Sequence, residues 1–169
     1  METKVPFYNV INILVPGLVF VGASAFFFLD EVMDLVARFS ALESMGFEVL
    51  FTIAALAIAY EVGYIIFRIG AVIIEPLLKK IFEWRAYDKF TAAKKAGAKS
   101  LDMLSREYAY ARTHITLFVA ISIIASTQKH WIIMGFSIGC VMLFTVMARS
   151  HIKKIVITVD TYMATNNED

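Results

Sequence analysis

Twenty consecutive residues, Val10–Leu29 (VINILVPGLVFVGASAFFFL), carry no charged side chain. About 30 Å of hydrocarbon is crossed by about 20 mostly apolar residues in a helix rising 1.5 Å per residue. This run therefore has the length and polarity of a membrane span. A second run begins near Phe47 and stays apolar to about Phe67, and AVIIEPLLKKIF could carry it as an amphipathic helix to Phe82. A third, about His114–Ser126, is short unless its helix starts in the polar residues before it. A fourth covers about Trp131–Ala148, and the STQKH joining it to the third implies a tight antiparallel hairpin. The chain is 59% hydrophobic and 18% charged, against about 45–50% and about 25% in soluble domains. The excess is gathered in runs too long for a soluble core.

The expected fold class is all-α: a polytopic four-transmembrane-helix bundle with a helical extension between spans 2 and 3. Residues 1–68 would form a first transmembrane hairpin and 69–112 a cytoplasmic helical segment. Residues 113–148 would form a second hairpin, and 149–169 a cytoplasmic tail whose order the sequence leaves open. The first run has a small-residue ASA at Ala23–Ala25, as at a signal-peptide cleavage site. FFFL continues it beyond that point, and Lys4 is offset by Glu2, so a retained span is expected.

The sixteen Lys and Arg residues are unevenly placed. Fourteen fall on the side of the N-terminus, the Arg68–Arg112 segment and the C-terminal tail, and two, Arg38 and Lys129, on the other. Cytoplasmic loops retain the positive excess. Both termini and the middle segment are thus expected in the cytoplasm, with the acidic loop holding Asp30, Glu31 and Asp34 outside.

Apolarity alone does not associate helices in lipid; close packing of small residues does. Ala55, Ala59 and Gly63 make one small-residue stripe, and Gly135 and Gly139 make a GxxxG. Either could pack the bundle or join subunits. Pro16 and Gly17 mark a kink or hinge in the first span, because proline removes a backbone donor.

Glu61 is a carboxylate inside a span, where a charge costs on the order of 3 kcal/mol. Arg68 and Glu75 follow at successive seven-residue steps with Tyr64 between, which predicts one polar seam of alternating sign. Arg112 or His114, at the start of the third span, are the better-placed partners for Glu61, since Arg68 is about 10 Å away along the axis. The seam reads as a register-fixing network, an ion- or proton-responsive group, or a pore lining.

The segment between spans 2 and 3 is rich in helix formers, with Gly97 the expected break. Trp84, Tyr87 and Phe90 form one stripe, and Leu101, Leu104 and Tyr108 another, so two helices are expected. Trp84, Arg85, Tyr87, Lys89, Lys94, Lys95, Lys99 and Arg106 are the candidate surface for a cytosolic protein partner, or for anionic lipid. Glu83, Asp88, Asp102 and Glu107 dilute the positive field, so direct nucleic-acid binding is not expected. His114, His130 and His151 lack ligand-spaced neighbours, Ser105 lacks an obvious base, and Cys140 stands alone. No metal, cofactor or catalytic residue is expected, and no enzyme activity.

The opening FYNVINILVPG, the four spans, the basic loop and SREYAYARTHITLF leading into the third span resemble small bacterial membrane proteins of anti-phage operons. The layout is most similar to the membrane subunit of Kiwa-type defence systems. The resemblance implies a homo-oligomeric sensor of the bacterial inner membrane that works with a cytosolic DNA-binding partner subunit. No site residue is carried over from that family. From the residues, the first expectation is an oligomeric sensor or scaffold that recruits a cytosolic partner, because four spans of this size are too small for transport. The second is a pore-forming effector or small ion channel.

Overall fold

The computed structural model describes residues 7–40, 45–82, 89–91, 93 and 99–165, and every element among them is helical. Helix α1 is Phe7–Phe27 and α2 is Leu29–Ser40. Helix α3, Met45–Ile69, passes through a π-helical segment, Gly70–Ile74, into α4, Glu75–Ile81. Helix α5 is Lys99–Thr127 and α6 is Trp131–Thr165. Four helices are long and apolar enough to cross a membrane.

Helix α1 packs along α3, α5 along α6, and α5 also touches α1, α3 and the π-helical segment. Helix α5 is the central one. Half of its apolar window is buried, against 17% for α1 and for the α3–α4 rod and 11% for α6. The surfaces of the other three are lined with exposed Ile, Leu, Val and Phe, as lipid-facing helices require.

Two apolar cores divide the molecule. One, near the α5–α6 turn, joins Ile66, Leu117 and Ile121 with Phe20, Phe27 and Ile133 around them. The other lies at the far end and joins Leu78 of α4 to Leu101, Leu104, Tyr108 and Ala111 of α5 and to Ala148, Ile152, Ile155 and Val159 of α6. Length explains the second core. The 29 residues of α5 and 35 of α6 measure about 43 and 52 Å, against about 30 Å of hydrocarbon. The two meet at one turn, where α5 ends and α6 begins, so both overshoot at the opposite end, and there they bury apolar faces against α4. The residues expected as a tail, 149–169, are through Thr165 a continuation of α6. Likewise the short third span is repaired by a helix that begins at Lys99.

The α5–α6 turn closes as a Schellman motif. The His130 N–H donates to Ala125 O at 2.8 Å and the Lys129 N–H to Ser126 O at 3.2 Å. Lys129 takes the left-handed conformation this requires, with φ 59°.

One element was missed by the sequence reading. The acidic loop after the first span holds α2, separated from α1 only at Phe28. Leu29, Met33 and Val36 lie one turn apart and are exposed, while Asp34 and Arg38 pair at 2.7 Å on the polar side. A stripe of that kind suits a helix lying in a membrane interface.

Candidate functional site

Where α1 crosses α3 there is no room for side chains. A β-carbon on Gly17 would overlap the Ala59 carbonyl oxygen and reach Gly63 N at 2.9 Å; one on Gly63 would overlap Ile13 O and reach Gly17 N at 3.1 Å. Pro16 and Ala59 are buried beside this crossing. Gly17 thus serves close approach, and α1 is one unbroken helix through Pro16. Of the two expected small-residue stripes, Ala59 and Gly63 pack within the chain, whereas Ala55 is exposed. Gly135 and Gly139 face open space.

The expected seam Glu61–Arg68–Glu75 is not one face. Glu61 and Arg68 are exposed on the outer side of α3, opposite Ala59 and Gly63. Arg68 Nε donates to Tyr64 Oη at 2.8 Å, and the guanidinium lies 5.0 Å from the Tyr64 ring centre. Glu75 instead turns inward to Arg112 of α5. The cause is the π-helical segment, where the Glu75 N–H donates to Gly70 O, five residues back. One extra residue in a turn rotates everything beyond it by about 100°. Pro76 supplies the reason for the wide turn, since it has no N–H to continue the α-helical ladder.

The inward group is compact. The Arg112 side chain is 7% exposed and its Nη1 pairs with Glu75 Oε2, while Lys79 Nζ holds Glu75 Oε1 at 2.6 Å. The guanidinium also lies 5.2 Å from the Phe67 ring centre. Gly70 makes the space: a β-carbon there would meet Thr116 Oγ1 at 2.8 Å and Arg112 Nε at 3.6 Å. Arg112 Nε and Asn12 Oδ1 are buried without a hydrogen-bond partner among the described residues.

Neither proposed partner of Glu61 reaches it. Arg112 is committed to Glu75. His114 is buried, donates Nδ1–H to Tyr110 O at 2.9 Å, and stacks between Tyr110 at 4.0 Å and Phe144 at 4.8 Å. Glu61 has no ion-pair or hydrogen-bond partner among the described residues. Between α5 and α6, buried His151 Nδ1 lies 3.2 Å from Glu107 Oε2 without hydrogen-bond geometry, a proximity that no sequence spacing announced.

Of the candidate partner surface, Trp84, Arg85, Tyr87, Lys94 and Lys95 lie outside the described residues, as does the side chain of Lys99, the first residue of α5. Arg106 is exposed, and Lys89 Nζ lies 4.0 Å from Asp160 Oδ1 of α6. Among the described residues no three His, Cys, Asp or Glu side chains are grouped as metal ligands would be. No protein-family model, curated protein or solved structure matches the chain.

Proposed function

We propose that this chain is a homo-oligomeric, four-span protein of the bacterial inner membrane that acts as a sensor or scaffold and recruits a cytosolic partner, in the manner the resemblance to Kiwa-type membrane subunits implies. Both termini and the segment between the second and third spans lie in the cytoplasm in this reading, on the strength of fourteen Lys and Arg against two. The far-end core of α4, α5 and α6 then forms a stem below the membrane. The chain itself performs no catalytic step.

The observation that carries the oligomer is Glu61. Gly17 is the midpoint of α1, a helix of 21 residues and about 31 Å, and it meets α3 at Ala59 and Gly63. Glu61 lies between those two residues, so it sits near mid-bilayer, and it points away from α1. Facing lipid there, a charged carboxylate would cost on the order of 3 kcal/mol. A second copy set against the Ile58–Glu61–Ile65–Arg68 face removes that cost by enclosing the carboxylate with polar groups. Arg68 supports this arrangement, because Tyr64 draws its guanidinium back toward the level of Glu61.

Single-cysteine variants in a Cys140→Ser background test the face in native membranes. Ile65→Cys should form a disulfide-linked dimer under mild oxidation, and Val146→Cys, exposed on α6, should not. A chain that is monomeric in mild detergent and never crosslinks at position 65 would refute the oligomer. Reversing Lys94, Lys95 and Lys99 should abolish capture of the cytosolic partner; unchanged capture would reject that surface.

The second reading, a pore-forming effector, is favoured by the same face, since Glu61 and Arg68 on an oligomer axis would line a polar conduit. It requires ion flux in liposomes that Glu61→Gln abolishes.

A further inference from the structure

A recess of about 250 Å³ opens between the end of α4 and the middle of α6, lined by Ile81, Phe82, Arg149, Ile152 and Lys153. It is smaller than the about 300–1,000 Å³ of sites that enclose a drug-sized ligand. Ile81, Phe82 and Ile152 form its apolar part, and among the described residues the charges lining it are two cations one helical turn apart. Arg149 is placed over the Phe82 ring, 5.8 Å from its centre. That leaves the guanidinium edge, which carries its hydrogen-bond donors, free.

The charges are uncompensated. Arg38, Lys79, Lys89 and Arg112 each have a carboxylate within 4.0 Å. Arg149 and Lys153 have none among the described residues, and Lys154, on another face of α6, does not line the recess. Two cations held against an apolar wall call for an anion.

Depth says which anion. Trp131 opens α6 at the interface, where amphipathic rings settle. Arg149 lies 18 residues on and Lys153 lies 22 residues on, about 27 and 33 Å along the axis. The two bracket the far edge of a 30 Å hydrocarbon layer, which is the plane of lipid phosphates. Above Arg149 on the same face of α6, Val146 and Met142 are exposed at 69% and 65% and run back into the bilayer. A phosphate between Arg149 and Lys153 would leave its acyl chain lying on that stripe.

We infer that the recess between α4 and α6 is a binding site for the phosphate headgroup of an anionic phospholipid. Arg149 takes two phosphate oxygens through its guanidinium fork and Lys153 a third as a point charge. Phe82 and Ile152 pack against the glycerol. The site rests on the membrane reading of the chain, and it ties the junction of α4 and α6 to the lipid composition of the inner leaflet.

The full chain, purified in detergent, is titrated with phosphatidylglycerol or phosphatidylcholine and bound lipid is counted by native mass spectrometry. Wild type should prefer phosphatidylglycerol. Arg149→Gln/Lys153→Gln should lose at least about 100-fold in affinity for it, from about tenfold or more per charge-assisted hydrogen bond to the phosphate, with phosphatidylcholine binding unchanged. The charge-matched Arg106→Gln/Lys154→Gln should lose less than a third as much. Equal losses from the two double variants would overturn the site in favour of a general surface field. Displacement of the lipid by equimolar inorganic phosphate would assign the recess to free phosphate and overturn the lipid. Reconstitution into phosphatidylcholine liposomes separates the two failures: a chain that does not insert refutes the membrane reading, and one that inserts but shows no lipid preference refutes only the site.

Discussion

Removing Glu75 should harm this protein more than removing Arg112, although the two are partners. The difference comes from what each leaves behind. Without Arg112, Glu75 is 23% exposed and keeps Lys79 at 2.6 Å. The loss is then a charge-assisted hydrogen bond and the contact with Phe67, about 1.5–3 kcal/mol. Without Glu75, the Arg112 guanidinium stays 7% exposed, with Phe67 as its neighbour and Nε already without a partner. Stranding one charge of a buried pair costs about 3–5 kcal/mol. Glu75→Leu should therefore be less stable than Arg112→Met by about 2 kcal/mol between the middles of the two ranges, roughly thirtyfold in the unfolding constant. The double variant should recover much of the loss, since an apolar pair of similar volume replaces a buried ion pair at little cost. Cys140, the one thiol and half-buried in α6, supplies the assay: its reaction with a fluorogenic maleimide during heating reports unfolding in detergent. Arg112→Met as damaging as Glu75→Leu, or a double variant worse than both, would refute the account of the network.

The other expectations concern packing, the turn and topology. Gly63→Val or Gly17→Val should destabilise by about 3 kcal/mol, the upper end for overpacking, because backbone faces the new side chain; Gly135→Ala should change the melting of the isolated subunit by no more than about 0.5 kcal/mol. Lys129→Gly should stabilise by about 1 kcal/mol by relieving the left-handed residue, read as a later melt in the same thiol assay. In a Cys140→Ser background, Lys129→Cys should react with a membrane-impermeant maleimide on intact spheroplasts and Lys154→Cys only after lysis; the reverse pattern would invert the topology.

The medium was legible in the residues alone. Whether a helix can cross a bilayer depends on the length and polarity of one continuous run, which is a one-dimensional property, and Val10–Leu29 or Trp131–Ala148 can be measured without knowing any neighbour. The bias of Lys and Arg is equally a matter of counting. The small residues Ala59 and Gly63 were recognisable as packing positions for the same reason, because spacing on one helix defines a face.

Only the tertiary structure decided what those faces meet. Nothing in the order of residues says that Gly63 crosses Gly17, or that Arg112 of α5 takes Glu75 in preference to Glu61. The seven-residue step from Arg68 to Glu75 held one face only so long as every turn contained 3.6 residues. A single wide turn between Gly70 and Pro76 rotated the second carboxylate into the protein and left Glu61 facing outward. Local spacing sets the rotation of a side chain about its own helix axis, while its partner is set by where other helices pack, and that depends on contacts between residues tens of positions apart.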